Sequence, residues 1–276
     1  MTIQACLKAA QRRLEEAGVP DPYVDAGLML AHVLKRSRLK VLAHSDEILT
    51  EPQLAAFEHL LNRRLTREPL QYILGETGFM GRRFLTRPPV LIPRADTEAL
   101  AEQALARLAP GDRVLDLCTG SGAIAISLAL GCPDAQVEGS DISPEALELA
   151  RENAKLNSAR VTWHQGDLLT PFAERQFNMI CCNPPYIPAG RLDTLQAEVR
   201  FEPRLALDGG EDGLTFYRRV ITQSPELLSA GGWLLLEVGD GQMDAVKALT
   251  QVDFEHPGVY DDGGGLPRVL AAQRKG

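Results

Sequence analysis

The feature that most restricts how this chain folds is an alternation that begins after Asp96. Short apolar runs are separated, again and again, by stretches with helical spacing. Residues 113–118 read as a buried strand, followed by a Gly-rich turn and a helix over 123–130. Residues 136–141 form the next strand, and Ser143-Pro144 caps a helix running to about Asn157. Residues 161–164, 177–182 and 232–238 follow as strands, with helices over 214–228 and 241–249. Residues 254–260 and 268–272 predict a terminal antiparallel pair around the Gly263-Gly264-Gly265 turn. Strands separated by helices predict an α/β fold with a parallel sheet covered on both faces. Ligands in such sheets bind at the carboxyl ends of the strands, where the winding reverses. Chemistry is therefore expected just after Leu117, Ser140, Gln165 and Cys182.

Upstream the pattern is helical only. Ile3, Leu7, Ala10 and Leu14 share one face, and Gly18 with Pro20 ends that segment. Asp21 before Pro22 predicts an N-cap and first-turn proline for a helix carrying Val24, Leu28 and Ala31. Thr50 and Gln53 have capping-box spacing, ahead of inward-facing Leu54, Phe57, Leu61 and Leu65. Residues 1–72 are thus expected as a small all-α domain, 73–93 as a hairpin-like linker, and 94–276 as the α/β domain. Within the linker, Tyr72-Ile73-Leu74 and Phe84-Leu85 are the expected partners of the hairpin. Arg82, Arg83, Arg87 and Arg94 make this the most basic stretch, read either as a solvated linker or as an anchor for an acidic or RNA-bound partner.

Composition narrows the function classes. With 29 Lys and Arg against 37 Asp and Glu, the net charge of −8 argues against a protein that wraps duplex nucleic acid. Five cysteines with no C-x-x-C pair argue against a disulfide scaffold or a zinc site, and no metal is expected. Residues 3–14 are broken by Gln4, Lys8, Gln11, Arg12 and Arg13, unlike a signal peptide, and no apolar run approaches a membrane span. A cytoplasmic protein acting as a monomer is expected.

Three acids surround the Gly-rich turn. Gly120 and Gly122 permit a tight turn and let backbone approach a ligand at the following helix N-terminus. Gly120-x-Gly122-x-x-Ala125 alone also satisfies a loose dinucleotide fingerprint. Asp116, however, would repel a pyrophosphate and suit an ammonium group. Asp141 ends the next strand, where a carboxylate can accept from both ribose hydroxyls. Asp167 follows the third strand, placed to accept from an adenine amino group. Together they fit S-adenosylmethionine better than a dinucleotide; the competing reading makes them helix caps and surface residues.

The fourth segment is Asn183-Pro184-Pro185-Tyr186, directly after an apolar strand. Two prolines cannot donate to a sheet ladder, so the segment is expected as a rigid turn leaving the sheet. The Asn183 side-chain oxygen and the Pro184 carbonyl then offer two acceptors about 3 Å apart, the need of a planar –NH2 group. Tyr186 would stack on the flat group bearing that nitrogen.

The order DLCTGSG, SD, GD, NPPY resembles a class I S-adenosylmethionine-dependent methyltransferase acting on an exocyclic or amide nitrogen. Five more strings narrow the resemblance: Glu68-Pro-Leu-Gln-Tyr-Ile-Leu-Gly75, Leu91-Ile-Pro-Arg-Ala-Asp-Thr-Glu98, Val199-Arg-Phe-Glu-Pro203, Asp208-Gly-Gly-Glu-Asp-Gly-Leu214 and Leu235-Leu-Glu-Val-Gly239. Together these resemble the peptide chain release factor glutamine N5-methyltransferases, the PrmC/HemK family. The resemblance implies a Rossmann-like seven-stranded sheet preceded by a helical domain that docks the substrate. It implies methyl transfer to the glutamine amide nitrogen of the Gly-Gly-Gln tripeptide in release factors. By carry-over, Cys118, Thr119, Gly120, Ser121, Gly122, Asp141, Asp167, Leu168 and Asn183 hold the cofactor with Asp116. Asn183, Pro184, Pro185 and Tyr186 hold the glutamine, and Asn183, Pro184 and Tyr186 are the catalytic set. Ala95 stands where the family usually has proline and Cys118 where glycine is common. Two other classes remain open: a nucleic-acid base methyltransferase, which shares NPPY, and a non-catalytic nucleotide-binding protein.

Overall fold

The computed structural model describes residues 1–276. The chain divides into two compact units: Met1–Gly75 with Gln196–Phe201, and Glu76–Leu195 with Glu202–Gly276.

The first unit is all helical: α1 (Ile3–Glu16), α2 (Pro22–Leu34), α3 (Arg38–Ala43), α4 (Glu51–Leu65) and α5 (Leu70–Leu74). The apolar faces close on a core that includes Ile3, Leu14, Leu30, Phe57 and Leu61. The Thr50–Gln53 capping box forms in both directions. Asp21 makes no side-chain cap bond; Pro22 with its preset φ opens α2 without one. Inside this unit Arg64 is almost fully buried and donates to Asp25 (2.7 Å) and Glu198 (2.9 Å), while Arg67 donates to Glu198 (2.7 Å). Glu198 is how the late segment Gln196–Phe201 joins the helices.

The second unit opens with a hairpin, β1 (Glu76–Phe79) and β2 (Arg82–Leu85), paired Glu76 to Leu85. Two expectations change here. Residues 72–74 are helical, so the hairpin partners lie on either side of Met80-Gly81. Residues 73–93 are also no free linker: Phe79 and Phe84 are buried in the core of the sheet unit and stack edge to face at 5.9 Å. The basic cluster is largely consumed by ion pairs, Arg87 with Glu152, Arg83 with Glu76 and Arg94 with Glu202.

After α6 (Glu98–Leu105), the chain runs β3 (Arg113–Leu117), α7 (Ala123–Gly131), β4 (Gln136–Asp141), α8 (Pro144–Asn157), β5 (Thr162–Gln165) and β6 (Phe177–Cys182). It continues as α9 (Thr215–Leu227), β7 (Leu228–Glu237), α10 (Met243–Leu249), β8 (Phe254–Asp261) and β9 (Pro267–Arg274). The sheet order is β5-β4-β3-β6-β7-β9-β8, with β8 and β9 antiparallel. Apolar clusters cover both faces. The chain winds outward from β3 through β4 and β5, then returns beside β3 as β6. That reversal leaves a crevice beyond the carboxyl ends of β3, β4 and β6.

Candidate active site

The crevice holds a cavity of about 290 Å³. Its lining beyond the ends of β3, β4 and β5 includes Cys118, Thr119, Gly120, Ser121, Asp141, Gly166, Asp167 and Leu168. Asn183 and Pro185 line it from the end of β6.

The Gly-rich turn is built from below. Asp116 is fully buried and does not line the cavity; its Oδ2 accepts from Thr119 Oγ1 (2.5 Å) and Ala125 N (3.1 Å). It organises the loop from the ligand-distal side, where the sequence alone suggested a direct partner for an ammonium group. Burial pushes its carboxyl up to about 7, against the pull of those two hydrogen bonds, and its Oδ1 has no partner. Gly122 has φ +81°, and a Cβ there would sit 2.9 Å from the Trp163 ring, so this position requires glycine. Cys118 takes a left-handed φ of 55° without a glycine, and the turn keeps its course.

Asp141 lines the cavity while its two oxygens accept from Gly120 N and Ser143 N, both at 2.9 Å. Each oxygen retains acceptor capacity toward the cavity. Asp167 lies at the cavity edge with its carboxylate taken by Arg219 (2.6 Å), so it meets the cavity as a neutralised pair. Asn153, buried in α8, ties the turn to the hairpin by donating to Ser121 O (3.0 Å) and Leu85 O (3.2 Å).

At the end of β6 the NPPY segment leaves the sheet as a turn without ladder bonds. The Asn183 Nδ2 donates to Thr97 Oγ1 (3.3 Å), which leaves Oδ1 for the cavity. Pro184 is buried and outside the lining. Tyr186 is pinned at both ends: its carbonyl accepts from Gln242 Nε2 (2.9 Å) and its hydroxyl reaches Glu237 Oε1 (3.4 Å). Burial drives the Tyr186 hydroxyl well above its usual value, so it stays a donor and is no base. The loop at 208–214 lies against it so closely that a Cβ on Gly209 would come within 2.7 Å of Tyr186 Cα.

Two family models match the chain: the PrmC N-terminal domain over residues 5–75 and the methyltransferase small domain over residues 95–201. The release factor glutamine methyltransferase of Geobacter sulfurreducens is 43% identical over 278 residues, spanning 99% of this chain and 96% of its own length. That of Vibrio cholerae is 43% identical over 279 residues, spanning 100% and 98%. The chain belongs to the release factor glutamine methyltransferase family. Among solved structures, a methyltransferase from Pyrococcus furiosus shares the fold, with TM-score 0.55 and 18% identity over 72% of this chain and 91% of its own.

As a member of the release factor glutamine methyltransferases, the chain is an S-adenosylmethionine-dependent enzyme, and its cavity fits that cofactor. Asp141 offers two acceptors for the ribose, and the Ser140 hydroxyl, 1% exposed on the cavity wall, has no protein partner. Val90, Ile142, Ala146, Leu168 and Phe216 supply apolar surface for a flat base. Two of the strings that carry the family resemblance reach the cavity wall, one through Leu91–Arg94 and Thr97, the other through Pro203. Glu202 accepts from Ile92 N (3.0 Å) and pairs with Arg94. Arg268 spans Asp262 and Asp240 (both 3.1 Å) and Asp96 (3.6 Å). Thr97, Glu202, Glu237, Gln242 and Arg219 were missed as site residues by reasoning from spacing. Their only sequence signal was membership of, or nearness to, those strings.

Proposed function

We propose that this chain transfers the methyl group of S-adenosylmethionine to the side-chain amide nitrogen (N5) of the glutamine in the Gly-Gly-Gln motif of release factors. The observation that carries the role of the NPPY segment is the orientation of Asn183, whose Nδ2 is engaged by Thr97 and whose Oδ1 is left to the cavity. When bound, the cofactor supplies an electrophilic methyl carbon on a sulfonium. The chain supplies geometry. An amide nitrogen is a weak nucleophile because its lone pair is shared with the carbonyl. Asn183 Oδ1 accepts from its N–H group, turns its lone pair toward the methyl group and offsets the positive charge that develops on nitrogen, with Pro184, buried outside the lining, holding the turn behind it. The extra proton passes from the amide nitrogen to solvent water after transfer, so no strong base is required, consistent with a Tyr186 hydroxyl that stays protonated. Positioning of this kind contributes on the order of 7–11 kcal/mol in well-oriented systems, and preorganised acceptors add to it.

The cofactor is held in this reading by the turn from Cys118 to Gly122, by Asp141 and Leu168, and by Asp167 through its pair with Arg219, with Asp116 supporting the turn from below. Pro185, which lines the cavity, shapes the slot for the glutamine side chain, and Pro184 and Tyr186 support it from outside the lining. The helical unit docks the release factor, the enzyme acts as a monomer, and it works where release factors are made, in the cytoplasm. No helix is long and apolar enough to cross a membrane.

Incubation with methyl-labelled cofactor tests the substrate against its rivals. Label is expected in release factor, absent from a release factor whose motif glutamine is alanine, and absent from ribosomal RNA and DNA. Label in nucleic acid and not in release factor would overturn the proposal. Asn183→Ala is expected to lower turnover roughly 100-fold or more while the protein stays folded.

A further inference from the structure

Two of the strings that carry the family resemblance, Asp208–Leu214 and Leu235–Gly239, lie outside the cavity lining, and the reaction above leaves them without a task. They meet at the exit of the Asn183–Tyr186 turn. There Gln242 Nε2 donates to the Tyr186 carbonyl at 2.9 Å. A Cβ on Gly213 would strike that same carbonyl oxygen and come within 2.5 Å of Gln242 Nε2. A Cβ on Gly239 would come within 2.6 Å of Gln242 Oε1 and 2.8 Å of the Tyr186 ring. Both strings therefore carry glycine where Gln242 and Tyr186 need the room. Just past the turn, Ile187 N donates to Leu207 O (2.9 Å), Gly209 N to Ile187 O (2.8 Å) and Ala189 N to Gly210 O (2.8 Å).

A carbonyl oxygen only accepts, so the end of the Gln242 carboxamide that meets Tyr186 is its NH2 group. The other end, Oε1, is buried with no partner, which costs stability and leaves the donated bond as the polar task of this side chain. Gln242 occupies the N-cap position of α10 and makes no cap bond there, so it serves Tyr186 and not its own helix. Pro184 and Pro185 have a fixed φ and no N–H, which makes the turn stiff and leaves it few bonds of its own. A shift at Tyr186 is thus passed back to Asn183. We propose that Gln242 is a positioning residue for methyl transfer: its hold on the Tyr186 carbonyl sets the exit of the turn, and with it the place of Asn183 Oδ1 against the substrate nitrogen. The proposal rests on the reading of Asn183 given above.

The turn then has one side-chain anchor at each end, Thr97 on Asn183 (3.3 Å) and Gln242 on the Tyr186 carbonyl (2.9 Å). Neither Gln242 nor Gly213 lines the cavity. Loss of the second anchor should therefore slow the methyl-transfer step and leave cofactor binding in place, because a small misplacement of a positioned group is felt in the reaction far more than in binding.

The test is the rate of labelled methyl transfer to release factor in a single turnover with enzyme in excess, alongside the KM for release factor and S-adenosylhomocysteine affinity from calorimetry. Gln242→Met keeps the length of the side chain and removes its donor. It is expected to slow transfer roughly 10- to 100-fold, with KM and cofactor-product affinity within about threefold of the parent. Gly213→Ala, which drives a methyl group at the same carbonyl, is expected to slow transfer over the same range. Because both changes act on one carbonyl, the double variant should lose at least about threefold less than the product of the single losses. Parent-like transfer in either single variant overturns the proposal. So does a fall in cofactor-product affinity or a rise in KM that matches the loss of rate, or a double variant whose losses simply multiply. A parent enzyme that labels no release factor would instead refute the substrate reading itself, and this proposal with it.

Discussion

In the helical unit the deeply placed acids face guanidinium groups; in the sheet unit Asp116 and Glu237, the two least exposed acids, face hydroxyls and, for Asp116, a backbone amide, while Glu202 and Asp262 keep arginine partners. Glu198 shows the first arrangement. Burial alone would raise its carboxyl, but hydrogen bonds from Arg67 and Arg64 outweigh that and hold it down at about 2. Asp116 and Glu237 show the second. Burial dominates both, neither is paired with an Arg or Lys at ion-pair distance, and both are pushed up to about 7 with one oxygen unpartnered. A buried pair that satisfies itself holds a chain segment in place and asks for nothing more. A buried acid left half-satisfied marks a place where the fold accepts a loss of stability, and in this molecule both such acids lie behind the catalytic crevice.

The comparison can be broken most sharply at Arg64. Arg64→Met strands Asp25 and Glu198 with less compensation and is expected to cost about 3–5 kcal/mol in urea unfolding. A loss below about 1 kcal/mol would mean that the pair is not structural. Next comes Asp116→Asn. The folded protein keeps a proton on Asp116 up to about pH 7, whereas the unfolded chain releases it near pH 4. Over that window the native state binds more protons, so this group makes stability fall as pH rises. In ligand-free protein, Asp116→Asn should remove about 2–3 kcal/mol of the stability difference between pH 5 and pH 8, read as a flatter Tm against pH.

Glu198→Gln probes the opposite sign. A carboxyl held at about 2 contributes stability above its unfolded value and loses it as pH falls toward 2. The substitution should flatten acid unfolding between roughly pH 4.5 and 2 by about 1–2 kcal/mol, and a parent-like acid limb would sink the assignment. The smallest effect is expected for Glu16→Ala, which removes an exposed i,i+4 pair with Arg12 at 2.9 Å. It should change stability by less than about 0.5 kcal/mol in the same unfolding assay.

Much of the fold was legible because the signals are local. The period of apolar residues marked the strands of the parallel sheet and the longer helices, and the Thr50 box and Ser143-Pro144 cap formed as their spacing implied. The short helices α3 and α5 and the helix α6 were missed, having too few turns to show a period or no clear cap. The hairpin was misplaced because Tyr72-Ile73-Leu74 is as apolar as a strand, while Gly75, at φ +76°, ends it as a helix.

By itself, the sequence determined where strands turn into ligand-binding loops, that Asn183 heads a rigid turn, and which residue types surround the cofactor cavity. Those follow from backbone sterics, proline's missing donor and glycine's freedom, which act over a few residues. Only the tertiary structure decided which way each acid faces: Asp141 into the cavity, Asp116 beneath the turn, Asp167 onto Arg219. It also decided which end of the Asn183 amide is engaged by Thr97, 86 residues away, and which carboxylate meets Tyr186, 51 residues away. Hydrogen-bond direction is set by partners across the fold, and no spacing along the chain encodes them.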